Sequence, residues 1–403
     1  MANRIKLTFW NYVDFSDYKP EMLVDWVNCG MTDPVTPRFT YEKDSHEDFK
    51  AMLDLAERLG VKMILQINEL SLEQYLNGAE KYARIAREVY DEFGIHPAAE
   101  GFYVGEEPNT TTNEAYFEGV KILRDIDPKF PVFVNLGSVE RTERMLLGPD
   151  KSLKEWMSEF TSYSGTDIIG YGTYAQLLPN GVGIDEHFYN IREVVKAAKA
   201  SGAEVWASQL SSAHYGYRIP SELDFQWQIS TTVACGCRAV VWFRLYDKLI
   251  APDLWGSPID EFGEKTPRYY DLARVQKRFM AQHGEIMAKL RHVDSFGLGV
   301  SYGGYLYFLP GSNDLVESAV CRSGMISFFK DDEGSDYVVV LNTLQDEACT
   351  VALNFTDKVE KAAILRLNGK QRVEICNRGD KKGTLAANEI WLAPGQMELI
   401  KLN

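Results

Sequence analysis

The chain predicts an α/β fold, a (β/α)8 TIM barrel, followed by a C-terminal all-β sandwich. Three features carry that prediction. Short β-rich runs alternate with amphipathic helical stretches over the first two-thirds of the sequence, and eight such units can be counted. After about Val293 the helical periodicity stops, and alternating strands separated by turn signals take over. The 403 residues suit a barrel plus an accessory domain, with expected extents 1–292 and 293–403.

The eight barrel strands are expected at 5–10, 32–36, 62–66, 101–105, 132–135, 167–171, 204–208 and 239–243. Between them, the stretch 46–59 places Phe49, Met52, Leu53, Ala56 and Leu59 on one helical face, and Gly60 follows as a C-cap. Stretches 71–90 and 185–200 read the same way, and 269–290 is the last long helix. Thr266-Pro267 should cap it, with proline at the first helical position. The competing open, doubly wound sheet lacks support in its dinucleotide form, because no glycine-rich phosphate loop follows the first strand. In the last hundred residues strands are expected at 325–329, 337–342, 349–353, 362–366, 372–375, 389–392 and 398–402. The turns Asp331-Asp332-Glu333-Gly334, Asn368-Gly369 and Pro394-Gly395 fall between them.

Composition excludes several classes. A formal net charge of −15 argues against nucleic acid and against anionic membrane surfaces as partners. No apolar run is long enough to span a bilayer. The chain reads as soluble, cytoplasmic as it stands, or secreted or periplasmic if a leader has been removed. Cys29, Cys235, Cys237, Cys321, Cys349 and Cys376 form no CxxC pair and read as free buried thiols. The scattered histidines form no ligand pair, so neither a metal nor a cofactor is indicated, and the sequence is silent on oligomeric state.

In a barrel of this kind, chemistry sits at the C-terminal ends of the strands. Strand four ends Gly-Phe-Tyr-Val-Gly-Glu106-Glu107-Pro108, two adjacent carboxylates directly after an apolar strand. A carboxyl beside apolar walls there can have its pKa raised, as a general acid requires. Asn135 after strand five, and Gln66 and Asn68 after strand three, are placed to meet hydroxyl groups. Strand six reads Asp-Ile-Ile-Gly-Tyr171-Gly-Thr-Tyr174, strand seven Glu204-Val-Trp-Ala-Ser208-Gln209 with His214 beyond it, and strand eight Trp242-Phe-Arg244-Leu-Tyr-Asp247. No Gly-x-Ser-x-Gly elbow is present, which disfavours a serine hydrolase.

These runs, in this order, resemble the clan of (β/α)8 retaining glycoside hydrolases that includes many β-galactosidases. The resemblance is carried by Glu107-Pro108 after strand four, the strand-six run and Trp242. It is supported by the Thr266-Pro267 turn into the last helix and by the β-domain that follows. It implies that Glu107 is the acid/base, that Arg38 after strand two contacts the nucleophilic carboxylate, that Tyr171 or Tyr174 helps hold nucleophile or sugar, and that Trp242 floors the sugar subsite. Arg244, Asp247 and His214 would contact substrate. Two departures stand out. Glu106 replaces the asparagine that contacts the sugar 2-hydroxyl, and an ionised carboxylate can only accept. Gln209 stands where the clan has its nucleophilic glutamate. Three explanations fit: a Glu→Gln substitution that inactivates the enzyme; another group such as Asp247, Glu222 or Asp224, or an inverting arrangement; or a barrel that binds sugar without cleaving it. A glycoside-processing transferase or phosphorylase would need a cationic phosphate pocket, which Arg38, Arg218 and Arg244 do not make. The expected function is hydrolysis of glycosidic bonds in an oligo- or polysaccharide. Carboxyl groups about 5–5.5 Å apart would mark retention, and about 6.5–9.5 Å inversion.

Overall fold

The computed structural model describes residues 4–149, 151–247, 254–377 and 389–403. Seven parallel strands form one curled sheet in the order Lys6–Phe9, Ala239–Phe243, Glu204–Leu210, Ile168–Gly172, Val132–Leu136, Ala99–Glu106, Met63–Leu65. The eighth stave is the segment 32–36, which closes the barrel through a few bonds rather than a ladder. Thr32 N–H donates to Leu7 O at 2.9 Å on one side, and Ile64 N–H donates to Pro34 O at 3.0 Å on the other. Pro34 has no N–H to offer a neighbour, so a continuous ladder cannot form; within 32–36 a single bridge, Val35–Ile64, remains, and Phe39–Ile67 follows beyond it. The fold is thus a TIM barrel, closed where the sequence predicted its second strand.

Alternation along the strands sorts their side chains into two cores. Trp10, Val35, Ile64, Phe133, Ile168, Trp206, Ala239 and Val241 fill the barrel interior. The intervening residues, such as Phe102, Val134, Ile169, Ala207 and Val240, point outward and pack beneath the helices. This two-sided burial decides which mouth residues can meet a ligand.

The helices follow their local signals. His46–Leu59 starts where Ser45 Oγ accepts from Asp48 N–H at 3.2 Å. The expected helix 71–90 is instead a 3-10 stretch, Leu72–Asn77, and an α-helix, Ala79–Val89. Gly78 parts them at φ 146°, a conformation that suits glycine and ends the first turn. The last barrel helix runs Pro267–Phe279 and continues through a π-turn, Met280–Gly284. Thr266 occupies its N-cap position, but its hydroxyl does not cap. It donates to Ser257 O at 2.8 Å and to Pro258 O at 3.1 Å, tying down the loop after strand eight.

The C-terminal sandwich pairs a six-stranded antiparallel sheet with a three-stranded one made of Val316–Cys321, Cys349–Phe355 and Glu389–Leu392. Two of its strands, Arg291–Leu298 and Val316–Cys321, were not expected. The first carries a bulge at His292/Asp294 that breaks its alternation. Strand Asp336–Asn342 is apolar at nearly every position because both its faces are covered. Val338 and Val340 face the sandwich core, while Tyr337, Val339 and Leu341 join the core shared with the barrel helices. Trp227 Nε1 on helix Glu222–Ala234 donates to Thr343 O at 2.9 Å across that seam. The six cysteines are free and buried.

Candidate active site

The end of strand four is shaped to present two consecutive carboxylates. Its pairing with strand five shifts register between Tyr103 and Gly105. Gly105 passes so close to Tyr116 that a Cβ there would lie 2.9 Å from its hydroxyl. That hydroxyl donates to Glu106 O at 2.6 Å, and Glu107 N–H donates to Asn135 O at 2.7 Å. Held by those bonds, Glu107 adopts φ 50°, a conformation uncommon outside glycine and typical of sites where surrounding structure imposes it.

The two carboxylates both open to solvent at the mouth, yet they meet different surroundings. Glu107 forms an ion pair with Arg141 Nη2 at 2.5 Å. Glu106 is pushed up to about 7, first by desolvation among the mouth side chains and then by the neighbouring Glu107, with Arg141 opposing. Burial, with Glu106 adding to it, raises the phenols of Tyr12, Tyr103 and Tyr174 in turn, so these rings remain neutral hydroxyl donors around it.

Inward-facing aromatic residues build the walls. Tyr174 stacks on Phe243 (centroids 5.6 Å, 23°), and Tyr12 meets the same ring edge-on at 6.0 Å. Trp10 packs against Tyr103 at 4.9 Å and Phe133 at 5.6 Å. Beneath them Trp10 Nε1 donates to Ser208 Oγ at 3.1 Å, and Ser208 Oγ reaches Asn135 Oδ1 at 3.5 Å. Buried Arg244 places its guanidinium 5.9 Å from the Tyr12 ring; the Phe243–Arg244 peptide is cis. A cavity of about 350 Å³ opens between the loops after strands one and eight. Trp10, Tyr12, Asp14, Arg244, Asp247 and Asp260 are among its lining.

The structure therefore brings together Glu106, Glu107, Asn135, Tyr174 and Arg244, with the His214 ring tilted against Phe243 at 5.2 Å. Three expected site residues point the other way. Gln209 is 0% exposed and lies in the helix layer, where its Oε1 accepts from Gln176 Nε2 at 2.8 Å and its Nε2 donates to Thr232 Oγ1 at 3.1 Å. Trp242 is buried beside Phe225, and its Nε1 donates to Gln276 Oε1 at 2.9 Å. Tyr171 is buried in the same layer. Each sits one residue out of phase with the barrel interior, so the side chain meets a helix instead of the mouth. The inward neighbours are Ser208, Phe243 and the glycines Gly170 and Gly172.

Other expectations resolve into structural roles. Arg38 binds Asp14 at 2.9 Å and donates to Tyr12 O at 3.0 Å, bracing the loop after strand one rather than a carboxylate of strand seven. Asp247 accepts from Ser257 Oγ at 2.5 Å. Glu222 pairs with Arg274, and the Asp224 carboxylate accepts from the Ser221 N–H at 2.7 Å in the capping box of its helix while holding Arg218. Sequence reasoning missed Tyr12, Tyr103, Phe243 and Arg141. Counting in twos from a strand's inward residue would have found Phe243; nothing local in the sequence marks Arg141. It also passed over Asp54, Glu57 and His96, whose ligand atoms lie within 4.8 Å of one another; Asp54 and Glu57 are exposed and His96 is half-buried.

No family model matches the chain, and no curated protein does. Solved structures do. The fold is similar to a cold-adapted β-galactosidase from Rahnella sp. R3 (TM-score 0.55, 11% identity, covering 73% of this chain and 58% of that one). It is similar to an Anoxybacillus alpha-amylase (TM-score 0.54, 12% identity, 99% and 98%). It is also similar to a family 39 glycoside hydrolase from Bacteroides cellulosilyticus WH2 (TM-score 0.53, 10% identity, 100% and 81%). The chain spans less than two-thirds of the length of the Rahnella β-galactosidase. At these identities the likeness is one of fold: a barrel followed by a β-domain.

Proposed function

We propose that the chain is a glycoside hydrolase whose proton donor is Glu106, with Glu107 as its partner carboxylate. The observation that carries this reading is the pairing of unlike carboxylates at the end of strand four. Glu106 is raised to about 7 and holds its proton near neutral pH, while Glu107 is oriented by Arg141. A protonated carboxyl can give its proton to the leaving oxygen as the bond breaks, which raises the rate about 10²–10⁴-fold in comparable cases. Glu107 is the group available to take a proton from water or to stabilise positive charge at the anomeric carbon. The tyrosines of the mouth are hydroxyl donors and sugar-stacking surfaces. All the solved structures named above are described as glycoside-cleaving enzymes, which supports the same reading.

This departs from a retaining mechanism through position 209. That side chain lies in the helix layer, and the inward residue at the end of strand seven is Ser208. The same observation favours a second reading, a barrel that binds sugar without cleaving it.

The test is hydrolysis of a panel of nitrophenyl glycosides and oligosaccharides by the chain and by its Glu106→Gln and Glu107→Gln variants. The hydrolase reading expects activity that each variant lowers by about 10²-fold or more. A chain that binds members of the panel yet cleaves none of them is the binding protein instead.

A further inference from the structure

We propose that the ribbon of residues 213–217 and 254–255, beyond strands seven and eight, forms a distal subsite for a neutral oligosaccharide, with Tyr215 and Trp255 as platforms for sugar units beyond the bond that is cleaved. The inference rests on the hydrolase reading of the barrel mouth and extends it outward.

Ring contacts run without a gap from Tyr12 at the mouth to solvent. Tyr12, one of the phenols Glu106 acts on, meets Phe243 at 6.0 Å. Phe243 contacts His214 at 5.2 Å, and His214 contacts Tyr215 at 4.2 Å. Tyr174 flanks this line, 5.6 Å from Phe243 and 6.4 Å from His214. At its outer end Tyr215 is 77% exposed; Trp255, opposite Ala213 on the paired strand, is 58% exposed. Neither hangs on a loose loop. Residues 213–214 pair antiparallel with 254–255, register Ala213–Trp255 and His214–Leu254, and Tyr217 N–H closes the turn onto His214 O at 2.8 Å. Tyr215 sits in that turn at φ 48°.

Tyr215 at the end of this track and Trp255 on the neighbouring strand leave apolar area unburied. Their faces suit the C–H face of a pyranose, and the few rotors of Tyr and Trp keep the entropic cost of ordering low. Charge selects among sugars. Among the described residues, Asp14, Asp17, Asp247, Asp260 and Glu261 line the cavity that Tyr12 shares with this track, beside one arginine, Arg244, and the chain carries −15 overall. A chain of uronate or sulfated units would be repelled, and a neutral one would not.

The experiment compares the chain with Tyr215→Ala and Trp255→Ala on β-1,3- and β-1,4-glucan, mannan, xylan and α-1,4-glucan oligosaccharides of two to six units. Hydrolysis is read as kcat/KM. Binding to the same oligosaccharides is measured calorimetrically on Glu106→Gln, alone and combined with each alanine. The inference expects kcat/KM to rise with length on the sugar that is cleaved. Each alanine should shrink the six-to-two-unit ratio by about tenfold, the effect of losing roughly one stacking contact. Length-independent turnover, or an alanine effect equal at every length, overturns it. If nothing is cleaved, the hydrolase reading falls alone. Binding that tightens with length and weakens in the alanines then keeps the subsite, and binding indifferent to both removes it.

Discussion

Replacing Gln209 by glutamate separates the two possible directions of that side chain. In the structure Gln209 is wholly buried, bonded to Gln176 and Thr232. A protonated glutamate fits this network. It still accepts from Gln176 Nε2, and its single O–H can replace the amide donor to Thr232 Oγ1. An ionised glutamate has no donor for Thr232, the side chains bonded at this position carry no charge, and full burial raises such a carboxyl by up to about 3–5 units. In the folded Gln209→Glu variant the new carboxyl therefore stays protonated at pH 7, whereas in the unfolded chain it ionises near ~4.3. Keeping the proton from ~4.3 to 7 costs about 2.7 units at ~1.36 kcal/mol each, or ~3.7 kcal/mol. The sign follows from a folded pKa above the unfolded one: the penalty is near zero below about pH 4 and grows as pH rises toward the folded pKa. Urea unfolding of wild type and Gln209→Glu at pH 4.5 and pH 7 reads the difference. The expected result is near-equal stability at the lower pH, a loss of about 3–4 kcal/mol at the higher, and no gain in hydrolysis. Equal stability at pH 7 together with new glycosidase activity would refute the buried orientation and restore position 209 as the nucleophile site.

Glu106→Gln tests the raised carboxyl in the same way. A folded pKa of about 7 makes Glu106 cost stability as pH rises through that value. The variant should gain on wild type at pH 8, by about 1 kcal/mol after allowance for solvent screening, and match it at pH 4 in thermal melts. The wild-type rate should fall above about pH 7 as the donor loses its proton. At the opposite end of the barrel Lys6 Nζ holds Asp33 at 3.2 Å and Glu100 at 2.5 Å, with Asp33 fully buried. Lys6→Met should cost about 3–5 kcal/mol by chemical denaturation, because it leaves buried Asp33 and half-buried Glu100 without this cation, and should leave turnover per folded molecule unchanged. Phe243→Ala should lower activity or sugar binding through loss of the wall shared by Tyr12 and Tyr174. Trp242→Phe should instead lower the melting temperature, through the buried bond to Gln276, with binding intact.

The sequence made the layout of the barrel legible but not the phase of its strands. Strand positions follow from apolar runs bounded by helices, and all eight lie close to where those runs fall. Phase is a different kind of information. Parallel strands in a barrel are buried on both faces, so Ala239-Val-Val-Trp-Phe shows no polar alternation from which an inside could be read. A slip of one residue then exchanges Phe243 for Trp242 and Ser208 for Gln209. Where polar residues do occur in strand seven they mislead, because Gln209 is satisfied by polar side chains of the helix layer and looks from the sequence like a mouth residue. Strand four escaped this ambiguity. Glu106 and Glu107 are charged and adjacent, and whichever way the strand was phased one of them had to face the mouth.

That both carboxylates reach the mouth is a property of the backbone and not of alternation. On a regular strand consecutive side chains point to opposite faces. Here the register shift at Tyr103/Gly105, the close passage of Gly105 beneath the Tyr116 hydroxyl and the left-handed φ of Glu107 turn the chain within a few residues. Bulges of this kind re-aim side chains beside active sites. Arg141 then makes the pair unequal by binding Glu107 and leaving Glu106 among aromatic rings, where the charged form is disfavoured. On the proposed reading, the Glu106 that replaces the expected asparagine is no longer a defect of a sugar contact. It is the member of the pair whose surroundings suit a proton donor, so the proton sits one residue earlier in the turn than the resemblance implies.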